Sequence, residues 1–206
     1  MSIRVCIYDF YAYVIPGSLL ITVAGYGIHL AHIMPICMYN PHFSFVAVAA
    51  FLVLAYVSGF IMDPITYKFW IPFFRAKKLS ELVLNQFKTN HKNFQVNFKA
   101  SDWPVLQAFI ARQHQEMHSE IQRFNALQIM LRNISFALLI LALVQAIFLL
   151  TAFSFLKVML VIGSFILSMI TAKQSVTLSK WFYSAIYEAV VAHSLDVKTL
   201  VKKDKK

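Results

Sequence analysis

Four long, almost uncharged stretches constrain this chain more than any other feature. They run roughly over Tyr13–Met34, Phe43–Met62, Ile134–Phe155 and Val158–Leu178, and their apolar cores hold no Asp, Glu, Lys or Arg; Lys173 falls near the end of the fourth, past its core. A helix needs about 20 apolar residues to cross about 30 Å of hydrocarbon. Such a helix satisfies its own backbone hydrogen bonds, which lipid cannot do. The expectation is an all-α polytopic membrane protein, with four transmembrane helices and a small helical cytoplasmic region.

Charge sets the expected orientation. Of 19 basic residues, 17 lie either between the second and third stretches, from Lys68 to Arg132, or from Lys173 onward. The connection Pro35–His42 has none. By the positive-inside rule the N terminus, the middle segment and the C terminus are cytoplasmic. The net charge of +10 then belongs to one face and suits anionic lipid headgroups first. An acidic protein comes second, and nucleic acid enters only indirectly. The first stretch reads as a retained helix rather than a signal peptide. Arg4 is offset by Asp9, and no small-x-small cleavage site precedes a soluble chain. Cys6 and Cys37 fall on opposite sides and give no intrachain disulfide framework.

This divides the chain into four parts. Residues 1–62 hold an interfacial segment and the first two spans, and 63–132 the cytoplasmic region. Residues 133–178 hold spans three and four, and 179–206 a cytoplasmic helix with a basic tail. Pro16-Gly17, near the start of the first span, predicts a helix end or kink, serving as interfacial anchor or gate hinge. Within the middle region, Ser80-Glu81 and Ser101-Asp102-Trp103-Pro104 read as helix starts. Lys88–Lys99 reads as a loop, with a short strand at Phe94, Val96 and Phe98 as the alternative. No Gly or Pro interrupts Val105–Lys157, which predicts one helix of about 50 residues and about 75 Å. Its cytoplasmic stripe (Leu106, Ile110, Met117, Ile121, Phe124, Leu131) must pack on something. Candidates are the Ser80–Lys88 helix, a C-terminal helix continuing the fourth span, and neighbouring subunits.

Few residues offer chemistry. Arg112-Gln113-His114-Gln115-Glu116-Met117-His118 is the densest polar cluster. Arg112 and His118 form an Arg-x5-His pattern, in which Arg would bind phosphate and His act in acid–base chemistry. Six residues of regular helix place the two about 120° apart, so convergence requires a break or a dimer interface. His114 and His118 share a face, but no third metal ligand accompanies them. Gly-rich phosphate loops, nucleophile elbows and paired-carboxylate signatures are absent from the sequence. The expectation is therefore no catalytic residue, no metal, no cofactor and no enzyme. Arg75, Lys77, Lys78, Arg112, His118, Lys202 and Lys203 are expected to contact a cytoplasmic partner or lipid.

The spans carry polar stripes. Ser18, Thr22, Gly25, His29 and His32 recur at helical spacing in the first. Ser164, Ser168, Thr171, Ser175 and Ser179 do so in the fourth. Small and hydroxyl residues let membrane helices pack closely; the competing reading is a water path. Pore-lining candidates are Ser18, Thr22, Gly25, His29, Ser164, Ser168 and Thr171. Ala55/Gly59 and Ala142/Ala146 read as packing only. Because no Asp, Glu, Lys or Arg lies within an apolar core, an ion-coupled carrier is disfavoured.

Tyr8-Asp9, Tyr13, Pro16-Gly17 and Arg132-Asn133 resemble features of small four-span prokaryotic membrane proteins of anti-phage systems. These include membrane accessories of RNA-targeting CRISPR systems. The resemblance covers spans one to three. It implies a homo-oligomeric pore or membrane-perturbing effector of the cell inner membrane, under control of a cytoplasmic partner. In those accessories an Arg–His motif of the HEPN type is discussed, and Arg112/His118 is its nearest match here. The other function class is a non-conducting anchor that docks a soluble enzyme or nucleic acid on its basic face; a membrane nuclease comes third.

Overall fold

A computed structural model describes residues 3–31, 45–74, 78–91, 98–151 and 153–192, and these are helical with no strand among them. Six α-helices follow in order: α1 Ile3–Leu30, α2 Phe45–Phe74, α3 Leu79–Asn90, α4 Trp103–Gln113, α5 Gln115–Thr151 and α6 Phe155–Ala192. Four of them, α1, α2, α5 and α6, are long and apolar enough to cross a membrane. The chain is an all-α, multi-pass membrane protein.

The spine is an antiparallel pair, α5 and α6, of 37 and 38 residues or about 55 Å each at 1.5 Å per residue. Towards one end α1 and α2 pack on α5, and towards the other α3 and α4 pack on α6. The first group leaves large apolar side chains outward, such as Val53, Leu54 and Phe60 on α2, which suits hydrocarbon rather than water. The second forms a lobe with its own core. Leu84, Phe87, Leu106, Ile110, Ile121, Phe182, Ile186 and Tyr187 meet there. Tyr187 stacks on Phe98 with ring centroids 5.5 Å apart, and its hydroxyl donates to the Ser80 carbonyl at 3.3 Å.

Two expectations change here. The long helix from Val105 is broken at His114, whose φ of −134° and ψ of 75° are not helical. No Gly or Pro causes this. The break lets Leu106 and Ile110 on α4, and Ile121 on α5, reach one core against α6. Leu106, Ile110 and Ile121 of the apolar stripe are therefore buried within the chain, in one core with α3 and α6. Likewise Pro16 lies inside α1, fully buried, and does not end it.

The reason sits at Gly17. A methyl group there would lie 1.8 Å from the Ala55 carbonyl oxygen, and one at Gly59 would lie 2.0 Å from the Tyr13 carbonyl oxygen. α1 and α2 thus cross backbone on backbone, which only glycine permits at these two sites. Ala55/Gly59 is the packing pair that its spacing suggests.

The helices also run through the divisions drawn from charge. α2 continues past Asp63 through Pro64 to Phe74, α5 begins at Gln115, and α6 extends the fourth span to Ala192. Arg75, Lys77, Lys202 and Lys203 lie outside the described residues, as do His32, Cys37 and the strand alternative at residues 94–97.

Candidate functional site

The densest polar structure lies where the apolar parts of α2, α5 and α6 meet the lobe. On α2, Asp63, Thr66, Tyr67 and Trp70 are spaced three and four apart and share a face. That face meets Arg132-Asn133 on α5. Arg132 Nη2 donates to Asp63 Oδ1 at 2.6 Å, and its guanidinium lies 5.1 Å from the centre of the Tyr67 ring. Thr66 Oγ1 lies 2.6 Å from Asn133 Oδ1 and 2.9 Å from the Asp63 carbonyl oxygen. One hydroxyl proton cannot serve both acceptors. Turning the Asn133 amide over makes its nitrogen the donor to Thr66 and frees the hydroxyl for Asp63; such amide orientations follow from the hydrogen bonds. The ion pair is half-buried and hydrogen-bonded, and the desolvation of its two charges offsets much of their attraction.

α6 joins through serines. Ser175 Oγ donates to the Gln128 carbonyl at 2.8 Å, and Ser179 meets the Gln128 side chain. A cavity of about 100 Å³ remains between the three helices, with Tyr67, Gln128, Arg132, Ser179 and Tyr183 in its wall. Arg132 Nε is buried and has no hydrogen-bond partner among the described residues. Burial pushes the Tyr183 phenol above its ordinary value, and the neighbouring Tyr67 raises it further, so Tyr183 stays a protonated donor.

The polar stripes divide. Ser168 is fully buried, and it and Ser135 each donate to the other's backbone carbonyl, at 2.7 and 2.8 Å. This reciprocal clasp ties α6 to α5, so Ser168 belongs to a packing seam. Ser164 and Thr171 are half-buried and bond to carbonyls of their own helix at 2.6 and 2.8 Å. On α1 the arrangement is different. Thr22, Gly25 and His29 are exposed, Ser18 is half-exposed, and among the described residues nothing lies within 4 Å of a methyl built on Gly25. Ser18 and Thr22 donate to the carbonyls of Ile15 and Ser18, both at 2.8 Å. Gln145, which no motif singles out, is buried in the membrane part of α5, and its amide donates to the Tyr26 hydroxyl at 3.3 Å.

Arg112 and His118 flank the break at His114, so regular helical azimuth does not separate them. Arg112 is exposed on α4. His118 is half-buried on the lobe section of α5, its Nε2 3.2 Å from Gln122 Nε2. Burial pushes its imidazole below the ordinary value. Among the described residues no ion pair joins Arg112 to Glu116, and no three His, Cys, Asp or Glu side chains gather as a metal site. Lys78 is exposed at the head of α3. No family model, curated protein or solved structure matches this chain.

Proposed function

We propose that the chain is a homo-oligomeric membrane effector that perturbs the bilayer, with the α1 stripe at the seam between copies. The observation that supports this most is the outward placement of Thr22, Gly25 and His29. Hydrocarbon gives a histidine no hydrogen-bond partner, whereas a second helix packed against it gives one. The lobe core is complete within one chain, so assembly rests on the membrane helices. The resemblance to four-span proteins of anti-phage systems supplies the biological setting, with a cytoplasmic protein as the controlling partner on the basic face.

The test is ion flux from liposomes. Thr22→Leu is expected to reduce flux while leaving oligomer size unchanged. If the wild-type oligomer conducts nothing even with its partner, the chain is a docking anchor. One observation favours that second reading: the Ser18 and Thr22 hydroxyls already bond to their own helix and need no water. If Thr22→Leu dissolves the oligomer, the stripe is a packing seam alone. The chain is read as non-enzymatic, so purified protein is expected to leave RNA intact. RNA cleavage abolished by Arg112→Ala or His118→Ala would reverse that reading.

A further inference from the structure

We propose that the α2–α5–α6 cavity binds one phosphate-type oxyanion through the converging donors of Arg132, Tyr67 and Tyr183, and that the anion is the phosphoryl group of an anionic phospholipid. The donors come first. Arg132 presents a buried Nε that nothing among the described residues accepts from. Neither the Tyr67 nor the Tyr183 hydroxyl bonds to protein among the described residues, yet both stand in the same cavity wall. The buried Arg132 Nε left unmet costs free energy, and an acceptor ligand removes that cost.

The acceptor is identified by what the wall lacks. Among the described residues no carboxylate lines the cavity. Asp63 holds Arg132 through Nη2 from outside the lining and offsets its charge. The site therefore selects by oriented donors rather than by net positive charge, and it suits a singly charged, multi-acceptor group. A phosphodiester fits that description. The volume, about 100 Å³, has room for a tetrahedral oxyanion.

Depth supplies the source. The cavity lies where the apolar helices give way to the lobe, with Trp70 and Tyr67 in its wall, and Trp and Tyr belong at headgroup level. Pockets between membrane helices that present basic side chains at this level recognise lipid headgroups. Binding here requires only membrane placement and is separate from whether the assembly conducts.

Delipidated protein in detergent, mixed with phosphatidylglycerol, with diacylglycerol or with inorganic phosphate and read by native mass spectrometry, tests it. Wild type is expected to retain one phosphatidylglycerol per chain, at least about tenfold over diacylglycerol. Retention is expected to survive about 0.5 M salt, which screens a surface-charge attraction. Tyr67→Phe/Tyr183→Phe removes two donors but keeps both rings, and should lower retention about tenfold with an unchanged melting temperature. Arg132→Lys keeps a cation for Asp63, loses the Nε donor, and should act the same way. Displacement of the lipid by millimolar inorganic phosphate supports the oxyanion site and makes the soluble ion its source. Equal retention of diacylglycerol, or retention untouched in the double phenylalanine variant, overturns the proposal. The phenylalanine variant decides if Arg132→Lys does not fold.

Discussion

Gly17→Ala and Gly59→Ala put a methyl group into the closest approach between α1 and α2. The obstacle at Gly17 is the Ala55 carbonyl at 1.8 Å and the Gly59 nitrogen at 2.8 Å; at Gly59 it is the Tyr13 carbonyl oxygen at 2.0 Å. Both are backbone, so no change of rotamer relieves the clash. Restoring an ordinary contact near 3.4 Å requires the helices to part by roughly 1.6 Å at Gly17. Parting loosens the neighbouring ring contacts, Tyr13 with Tyr56 at 5.7 Å and with Phe60 at 5.6 Å. Overpacking of this kind costs about 1–3 kcal/mol. Removing a glycine from a helix interior offsets roughly 0.5–1 kcal/mol of that. A backbone obstacle on both helices sits at the upper end, so each variant is expected to lose about 2 kcal/mol. Gly163→Ala is the control, because nothing lies within 4 Å of its added methyl; it should lose nothing and gain up to about 0.5–1 kcal/mol. Equilibrium unfolding in detergent, followed by circular dichroism, reads all three. Unfolding of Gly17→Ala and Gly59→Ala at the wild-type midpoint, or an equal loss for Gly163→Ala, would refute the crossing and return Pro16-Gly17 to the role of a hinge.

Other expectations follow from single contacts. A double-mutant cycle on Ser135→Ala and Ser168→Ala should give a coupling of about 0.6 kcal/mol and at most about 1.7, as interhelical hydrogen bonds in membranes do; additive losses would mean the clasp does not exist. Burial lowers the His118 pKa, so protonation favours the unfolded state. The stability it supports is complete above the ordinary value of 6.5 and is lost as pH falls below it towards the lowered folded value. Melting curves at descending pH should therefore drop less steeply for His118→Gln than for wild type, and identical slopes would count against it. Cysteine labelling should modify Cys37 from outside cells, and Asn90→Cys only after permeabilisation; labelling of Asn90→Cys in intact cells would reject a cytoplasmic lobe.

The membrane helices were legible because twenty uncharged apolar residues admit few other solutions. Their ends were less so. Pro16, Pro64 and Pro72 all lie inside helices, and membrane helices tolerate proline more readily than its role as a breaker suggests. The His114 break carries no local signal, because it is imposed by the shared burial of Leu106, Ile110 and Ile121. Serine and threonine at helical spacing look the same whether they face a helix or water. Only the neighbours separate buried Ser168 from exposed Thr22. Asp63 and Arg132 were visible singly, as the last charge-bearing positions flanking the second and third spans. Their pairing becomes predictable once α2 and α5 are known to be antiparallel neighbours whose boundaries share one depth.

A seam between copies along α1 is tested most directly by crosslinking. After Cys6 and Cys37 are replaced by serine, single cysteines at Thr22, Gly25 and Gly163 can be oxidised in native membranes and the products sized. Disulfide-linked dimers are expected for Thr22→Cys and Gly25→Cys and none for Gly163→Cys, which lies on the outward face of α6. Dimers at Gly163→Cys alone, or monomers throughout, would contradict the seam.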